Sequence, residues 1–334
     1  MATLADVARH AGVAASTVSY VLSGKRSVSQ ATKDRVRRSI EALNYQPHAG
    51  ARALASSQAH VLALALPLRG DLYVPVMMEI AIAVTTRARA FGYDVLLLTA
   101  AEGSEGIRRV ASTSRADAVI LTDIGLADDR IEAARNSGVP AVAIGVPAAP
   151  AGLDCVDLDF AAAGRLCVEH LTGLGHRVLA FIGEAEAVYT RRTGFAERTL
   201  RGIRAAAGDV DLVHRPCEGS YEAVAATLKK ILEDRPETTG LIVQNEAVIP
   251  PLMSLLSSHR RAVPDDISVV ALCPDQVAEQ TAPRLTSVTI PAAELGHRAV
   301  ELLVHRMTSG EDGTEGKVRL IPPSLTVRGS TAAR

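Results

Sequence analysis

The residues whose types and spacing point to chemistry lie near the N-terminus. Ala15, Ser16 and Tyr20 fall within one short segment, with the hydroxyls of Thr17 and Ser19 between them. Short hydroxyls suit phosphate oxygens, and an outward-facing set of small and aromatic side chains suits base edges. The setting is basic. Residues 1–60 hold eight Lys and Arg (Arg9, Lys25, Arg26, Lys33, Arg35, Arg37, Arg38, Arg52) against three acids (Asp6, Asp34, Glu41), a net of +5, so a chain of net −1 carries −6 over the remainder. A basic head on an acidic body fits a protein whose head alone meets a polyanion. A solvated basic helix face fits the same charges, so charge alone does not decide.

Other chemistries lack their signatures. No GxGxxG follows a strand, and there is no P-loop, HExxH or GxSxG, so an enzyme is not expected. The nine histidines show no metal-ligand spacing, and Cys155, Cys167, Cys217 and Cys273 form no CxxC pair, so neither a metal, a cofactor nor a disulfide framework is expected. His176, beside Gly175 in LGHR, reads as a capping or packing residue. No apolar run reaches the ~20 residues of a membrane helix. The first residues place Asp6 where a signal peptide needs an apolar core. A cytoplasmic location is the resulting expectation.

The elements that must position the polar segment read as three short helices. Leu4, Val7, Ala8 and Ala11 share one helical face. Gly12 supplies the left-handed turn that ends the first helix. Ser16 and Thr17 are expected to cap the second, with Val18, Val21 and Leu22 inward. Ser29 is expected to cap a third running to Leu43, with Val36, Ile40 and Leu43 inward and Arg35, Arg37 and Arg38 outward. Pro47 closes the unit. Ala8, Gly12 and Val18, supported by Val7, Val13 and Val21, have the spacing of a helix-turn-helix, whose second helix offers its outer face to the major groove.

At 334 residues, 48% hydrophobic and 22% charged, the chain is long enough for more than one unit. From His60 onward, apolar runs alternate with amphipathic segments. Strands are expected at Val61–Leu66, Asp94–Leu98, Ala118–Leu121, Ala141–Ile144, Val178–Ile182, Asp211–His214, Leu241–Val243 and Ile267–Leu272. Helices are expected at Glu79–Phe91, Ala161–Leu174, Thr193–Ala207 and Glu222–Leu232. Continuously apolar strands between helices indicate parallel sheets covered on both faces, and two sheets fit the length better than one.

The N-terminal sixty residues resemble the lac-repressor/gal-repressor (LacI) family. The resemblance rests on the DVA core, the AGV turn, the STVS helix start, VSQAT and the LNYQP exit. It implies base reading by Ala15, Ser16 and Tyr20. It implies phosphate contacts at or near Thr3, Thr17, Ser19, Ser23, Ser27, Ser29 and Tyr45. It also implies a hinge helix after Pro47, in which Ala51 and Leu54 match the family's Ala and its intercalating Leu, with Arg52 beside them in reach of phosphate. A Leu wedge unstacks a base step and bends the duplex. Gly50 weakens that helix by ~1 kcal/mol relative to Ala, so the hinge is expected to fold only on DNA.

Farther on, Val156–Gly183, then RRTGF, IVQNE and the DISVVAL stretch resemble the family's effector-binding region. The implied fold is an α/β body of periplasmic-binding-protein type I, two lobes with parallel sheets, behind a small all-α helix-turn-helix domain. The expected division is 1–46 for the head, 47–59 for the hinge and 60–334 for the body. Within the body, one lobe takes about 60–160 and 291–321, the other about 161–290 and 322–334. The implied effector residues are Tyr73, Asp159, Arg191, Asn245 and Asp275, and Tyr73, Phe160 and Tyr189 are candidates for stacking. Two departures leave the effector open between a sugar, the family's favourite, a non-sugar and none. Cys273-Pro274 stands where many relatives have paired Asp, and Asp71-Leu72-Tyr73-Val74 where many have Asn-Pro-Phe-Phe.

The resulting expectation is a regulator, a repressor by family habit, binding a pseudo-palindromic operator on double-stranded DNA as a homodimer under control of a small-molecule effector, with no membrane partner. A solute-binding protein of the same two-lobed fold predicts a signal peptide and no basic head. A DNA-packaging protein predicts affinity from phosphate contacts alone.

Overall fold

A computed structural model describes residues 2–23, 26–45, 58–67, 69, 73–99, 103–309 and 316–334. The expected hinge contacts at Ala51, Arg52 and Leu54 lie outside the described residues, as does the side chain of Ser23.

The head consists of α1 (Leu4–Ala11), α2 (Ala15–Ser23) and α3 (Gln30–Ala42). Thr3 caps α1 in a capping box with Asp6: the Asp6 amide donates to Thr3 Oγ1, and the Asp6 carboxylate accepts from the Thr3 amide at 2.9 Å. Gly12 ends the helix at φ 62°, ψ 41°, a conformation that costs a side-chain-bearing residue strain. Val7, Ala8, Ala11, Val18, Val36 and Tyr45 form the small core. His10 Nδ1 meets Ser39 Oγ at 3.0 Å and ties α1 to α3. Two expectations need correction. α2 starts at Ala15, with the Ala14 carbonyl accepting from Thr17 and Val18, so Ser16 and Thr17 lie inside the helix and do not cap it. Leu22, expected inward, is exposed, because the three-helix core is closed by Val18 and the flank of Val21.

The body contains two six-stranded sheets. The first comprises β1 (Val61–Ala65), β2 (Asp94–Leu98), β3 (Ala118–Leu121), β4 (Ala141–Ile144), β5 (Asp154–Leu158) and β11 (Val318–Ile321). All pairs in it are parallel, in the order β11-β5-β4-β3-β1-β2. Strands such as AVIL and AVAI are buried along their whole length, as helices on both faces require. α4 (Val74–Ala90) and α13 (Ala292–Thr308) cover one face, and α5 (Gly103–Ser112) and α6 (Asp129–Asn136) the other.

The second sheet has the order β12-β10-β9-β8-β6-β7, from β6 (Val178–Gly183), β7 (Asp211–Pro216), β8 (Gly240–Val243), β9 (Ser268–Leu272), β10 (Thr286–Val288) and β12 (Leu325–Thr326). Only the β10–β12 pair is antiparallel. α7 (Phe160–Gly173) and α9 (Gly194–Ala207) cover one face, and α10 (Tyr221–Asp234) and α11 (Ile249–Ser258) the other. The short helices α8 (Glu186–Thr190) and α12 (Asp275–Glu279) follow β6 and β9. The chain leaves one sheet for the other after Leu158, Val288 and Ile321.

α7 and α9 pack unusually closely: a Cβ on Gly202 would lie 2.0 Å from the Ala161 carbonyl oxygen. His176 is buried, with Nδ1 2.8 Å from Thr239 Oγ1 and Nε2 3.1 Å from the Ala332 carbonyl. It is a packing residue that pins the C-terminal segment. All four cysteines are buried and free. Among the described residues, no helix is long and apolar enough to cross a membrane.

Candidate functional site

Two features of the structure have the chemistry of a site: the outer face of the head and a cavity between the lobes. On the head, Ala15 and Ser16 are exposed, and Thr17, Ser19 and Tyr20 are half-buried on the same short helix. The Arg26 guanidinium lies 5.7 Å from the centre of the Tyr20 ring, a cation–π geometry that restrains the ring. Sequence reasoning counted Arg26 only as charge. Arg35, Arg37 and Arg38 are exposed along α3, and Ser27 and Ser29 are exposed before it. Ser29 also caps α3. Tyr45 is packed into the head core, so its ring acts first as a structural residue. Thr3 is committed to its capping box.

Between the lobes, a cavity of about 110 Å³ opens at the carboxyl ends of β3, β4, β5, β6 and β8, where open α/β sheets place their ligands. Its walls are apolar, with Tyr73, Met77, Ile80, Phe160, Phe195 and Leu295 prominent. Its polar lining is Thr122, Asp123, Asp157, Glu184, Gln244 and Glu246. Asp157 Oδ1 accepts from the Leu158 amide at 3.0 Å, while Oδ2 is buried without a hydrogen-bond partner. Burial pushes this carboxyl up to about 7, against the opposing field of Arg198. Burial likewise pushes Glu246 up to about 8. The Tyr73 phenol is raised by burial and by Glu246. Gln244 Nε2 donates to Thr199 Oγ1 at 3.1 Å, and its Oε1 is buried without a partner.

A second space of about 290 Å³ adjoins the first across Asp123 and is lined by Arg69, Asp128, Arg130, Arg191 and Thr193. Arg69 pairs with Asp123 at 2.8 Å, and Arg130 with Asp128 at 2.7 Å. Beside it the lobes are stitched together: Leu126 N donates to Arg192 O at 2.9 Å, Gly194 N to Ile124 O at 2.8 Å, and Arg198 to Val146 O at 2.6 Å.

Of the expected effector residues, only Tyr73 lines the main cavity, and Arg191 lines the second space. The other three side chains make hydrogen bonds within the scaffold. Asp159 caps α7 through the Ala162 amide at 2.9 Å. Asn245 Nδ2 donates to Cys217 O at 2.9 Å, and its Oδ1 accepts from Ala247 N at 3.1 Å. Asp275 accepts from Arg328 at 2.8 Å and from Thr289 Oγ1 at 2.9 Å. The residues that sequence reasoning missed, Asp157, Gln244 and Glu246, are close chain neighbours of two that it named. Of the stacking candidates, Tyr73 and Phe160 line the cavity, whereas Tyr189 packs edge-on against His214 at 5.2 Å.

Comparison with known proteins matches residues 3–48 to the model of bacterial regulatory proteins of the lacI family and residues 168–331 to a periplasmic binding protein-like domain. The HTH-type transcriptional regulator CelR of Thermobifida fusca is 30% identical over 337 residues, covering 96% of this chain and 95% of that protein. Among solved structures, the lac repressor dimer bound to operator and the anti-inducer ONPF is 25% identical with a TM-score of 0.83, covering 99% of both chains. The complex of the transcriptional regulator CelR with cellobiose is 26% identical with a TM-score of 0.70, covering 99% of this chain and 100% of that one.

Proposed function

The chain belongs to the LacI family of bacterial regulatory proteins, a transcriptional regulator with a helix-turn-helix DNA-binding domain and an effector-binding domain, and we propose that it represses transcription from a pseudo-palindromic operator as a homodimer. The observation that carries this reading is the head. Its second helix is short and turns Ala15 and Ser16 outward, and basic residues flank it on α3 and at Arg26. One such head buries little surface on DNA, and two on one operator gain through effective concentration. The proposed division is residues 1–46 for the head, 47–59 for the hinge and 60–334 for the body. Leu54 of each chain meets at the operator centre as a wedge, with Ala51 and Arg52 beside it.

The outer face of α4 supports a dimer. Val74, Met78 and Ile82 recur every fourth residue and are exposed, Ile82 by 62%, and Leu97 is exposed on the edge strand β2. An apolar face of this kind marks an interaction surface. A small molecule held between the lobes biases how the two hinges are spaced, and by linkage operator binding alters its affinity in turn. A sugar is one reading of that effector, supported by the cellobiose bound to CelR. Action on DNA places the protein in the cytoplasm.

The test is Leu54→Ala, compared on operator and on random duplex. Affinity for the operator should fall while affinity for random DNA stays near its starting value. Equal loss on both removes the wedge.

A further inference from the structure

The hydrogen-bonding inventory of the main cavity is one-sided. A polyol both donates and accepts at every hydroxyl, so its site must offer donors and acceptors together. Here two of the donors are already engaged: Thr122 Oγ1 donates to the Ala65 carbonyl at 2.9 Å, and the Gln244 amide donates to Thr199, while the Tyr73 phenol is a further hydroxyl on the lining. Among the described residues, the lining contains no Lys, Arg or His. Asp157 Oδ2 and Gln244 Oε1 are acceptors on side chains only 4% and 2% exposed, with no partner for either atom. A buried acceptor without a donor is costly, and a buried carboxylate without a counter-charge more so. Arg198, the cation whose field reaches Asp157, lines a different cavity and donates to Val146 O. The remaining walls are aliphatic and aromatic, and aromatic faces attract cations.

We propose that this cavity selects a compact organic cation, a protonated primary amine carried on an apolar body. Its N–H groups go to Asp157 Oδ2, with Gln244 Oε1 as a further acceptor on the same cavity, and Tyr73, Phe160 and Phe195 enclose the apolar part. This inference rests on the reading of the interlobe cavity as the effector site. The carboxyls respond in the same sense. Burial holds Asp157 and Glu246 toward their neutral forms. Asp159 also disfavours charge on Asp157, Arg198 favours it, and Tyr73 and Cys273 flank Glu246. An entering cation favours the ionised forms, so its binding releases protons to the buffer.

Calorimetric titration of the full-length protein without DNA tests this. The probes are benzylamine and cyclohexylmethylamine, with benzyl alcohol as the neutral counterpart, benzoate as the anion, and glucose and cellobiose as sugars. At least one amine should bind at least about tenfold more tightly than benzyl alcohol. Its binding enthalpy should change between phosphate and Tris, reporting proton release, and Asp157→Asn should erase most of the preference for the amine. Tighter binding of either sugar than of both amines, no amine binding at millimolar concentration, or an undiminished preference in Asp157→Asn overturns the proposal. The comparison of amine with alcohol needs no variant. Operator binding is read separately and without ligand, so a failed amine screen beside intact operator binding overturns the ligand class and leaves the regulator reading standing.

Discussion

Asp157→Asn should make the ligand-free protein more stable, and more so at high pH. The carboxyl is fully enclosed, and burial raises it from an ordinary value of 3.8 to about 7. A folded-state value above the unfolded one means that the folded state holds the proton more tightly. Stability is therefore lost as pH rises from 3.8 through about 7, where the carboxyl must ionise inside the protein. At ~1.36 kcal/mol per unit, the full penalty above pH 7 is about 4 kcal/mol, with less than half of it present at pH 5. Relaxation around a buried charge lowers such figures, so a gain of ~1–3 kcal/mol at pH 9 is expected. Asparagine keeps the shape and the acceptor for the Leu158 amide, and it does not titrate. The chain has no tryptophan, so calorimetric or circular-dichroism melts of both proteins at pH 5 and pH 9 are the assay. The variant should gain at both and gain more at pH 9. A variant that loses stability at pH 9 would show that Asp157 is ionised and paired with Arg198, and the reasoning about the cavity would fail with it.

Three further outcomes are expected. Gly202→Ala should cost ~1–3 kcal/mol, because its Cβ would lie 2.0 Å from the Ala161 carbonyl oxygen and force α7 and α9 apart; an unchanged melting temperature would contradict that packing. Burial, with Arg204 and Arg215, pushes His214 down to about 4, so the unfolded state takes up its proton first. Relative to His214→Asn, the natural protein should lose stability as pH falls from 6.5 toward 4, and a pH-independent difference would refute this. Tyr20→Ala should change base preference at one half-site position by ~1–3 kcal/mol in a binding selection on randomised duplexes, and an unchanged preference removes Tyr20 from the reading set.

The head was largely legible because its geometry leaves little freedom. Gly12 must take the left-handed turn, and Ala8 and Val18 must meet in a core of a few side chains. The capping of α2 was misread because the Ala14 carbonyl, not a hydroxyl, receives its first bonds. In the body, eight of the strands, β1 to β4 and β6 to β9, announced themselves by their aliphatic residues. β5 did not, because Asp154 and Asp157 interrupt its apolar run. β10 is three residues long, β12 two, and β11 exposes Val318, Arg319 and Leu320 at the sheet edge. The cavity was legible to within a residue or two. Asn245 was named from its strand end, yet Gln244 and Glu246 line the space while Asn245 ties down the Cys217 loop. Sequence spacing locates a strand end; which neighbour faces the cleft depends on how the chain turns beyond it. Arg191 reached the adjoining space because α8 sets it at the seam between the lobes.

The central claim is sequence-specific operator binding, and the most direct measurement is capture and sequencing of the genomic fragments that the full-length protein binds at physiological salt. A shared inverted repeat, with half-sites spaced for two heads and a flexible step at its centre, is expected. Fragments without a common sequence, bound with a steep loss of affinity as salt rises, would contradict the account and leave a protein held to DNA by phosphate contacts alone.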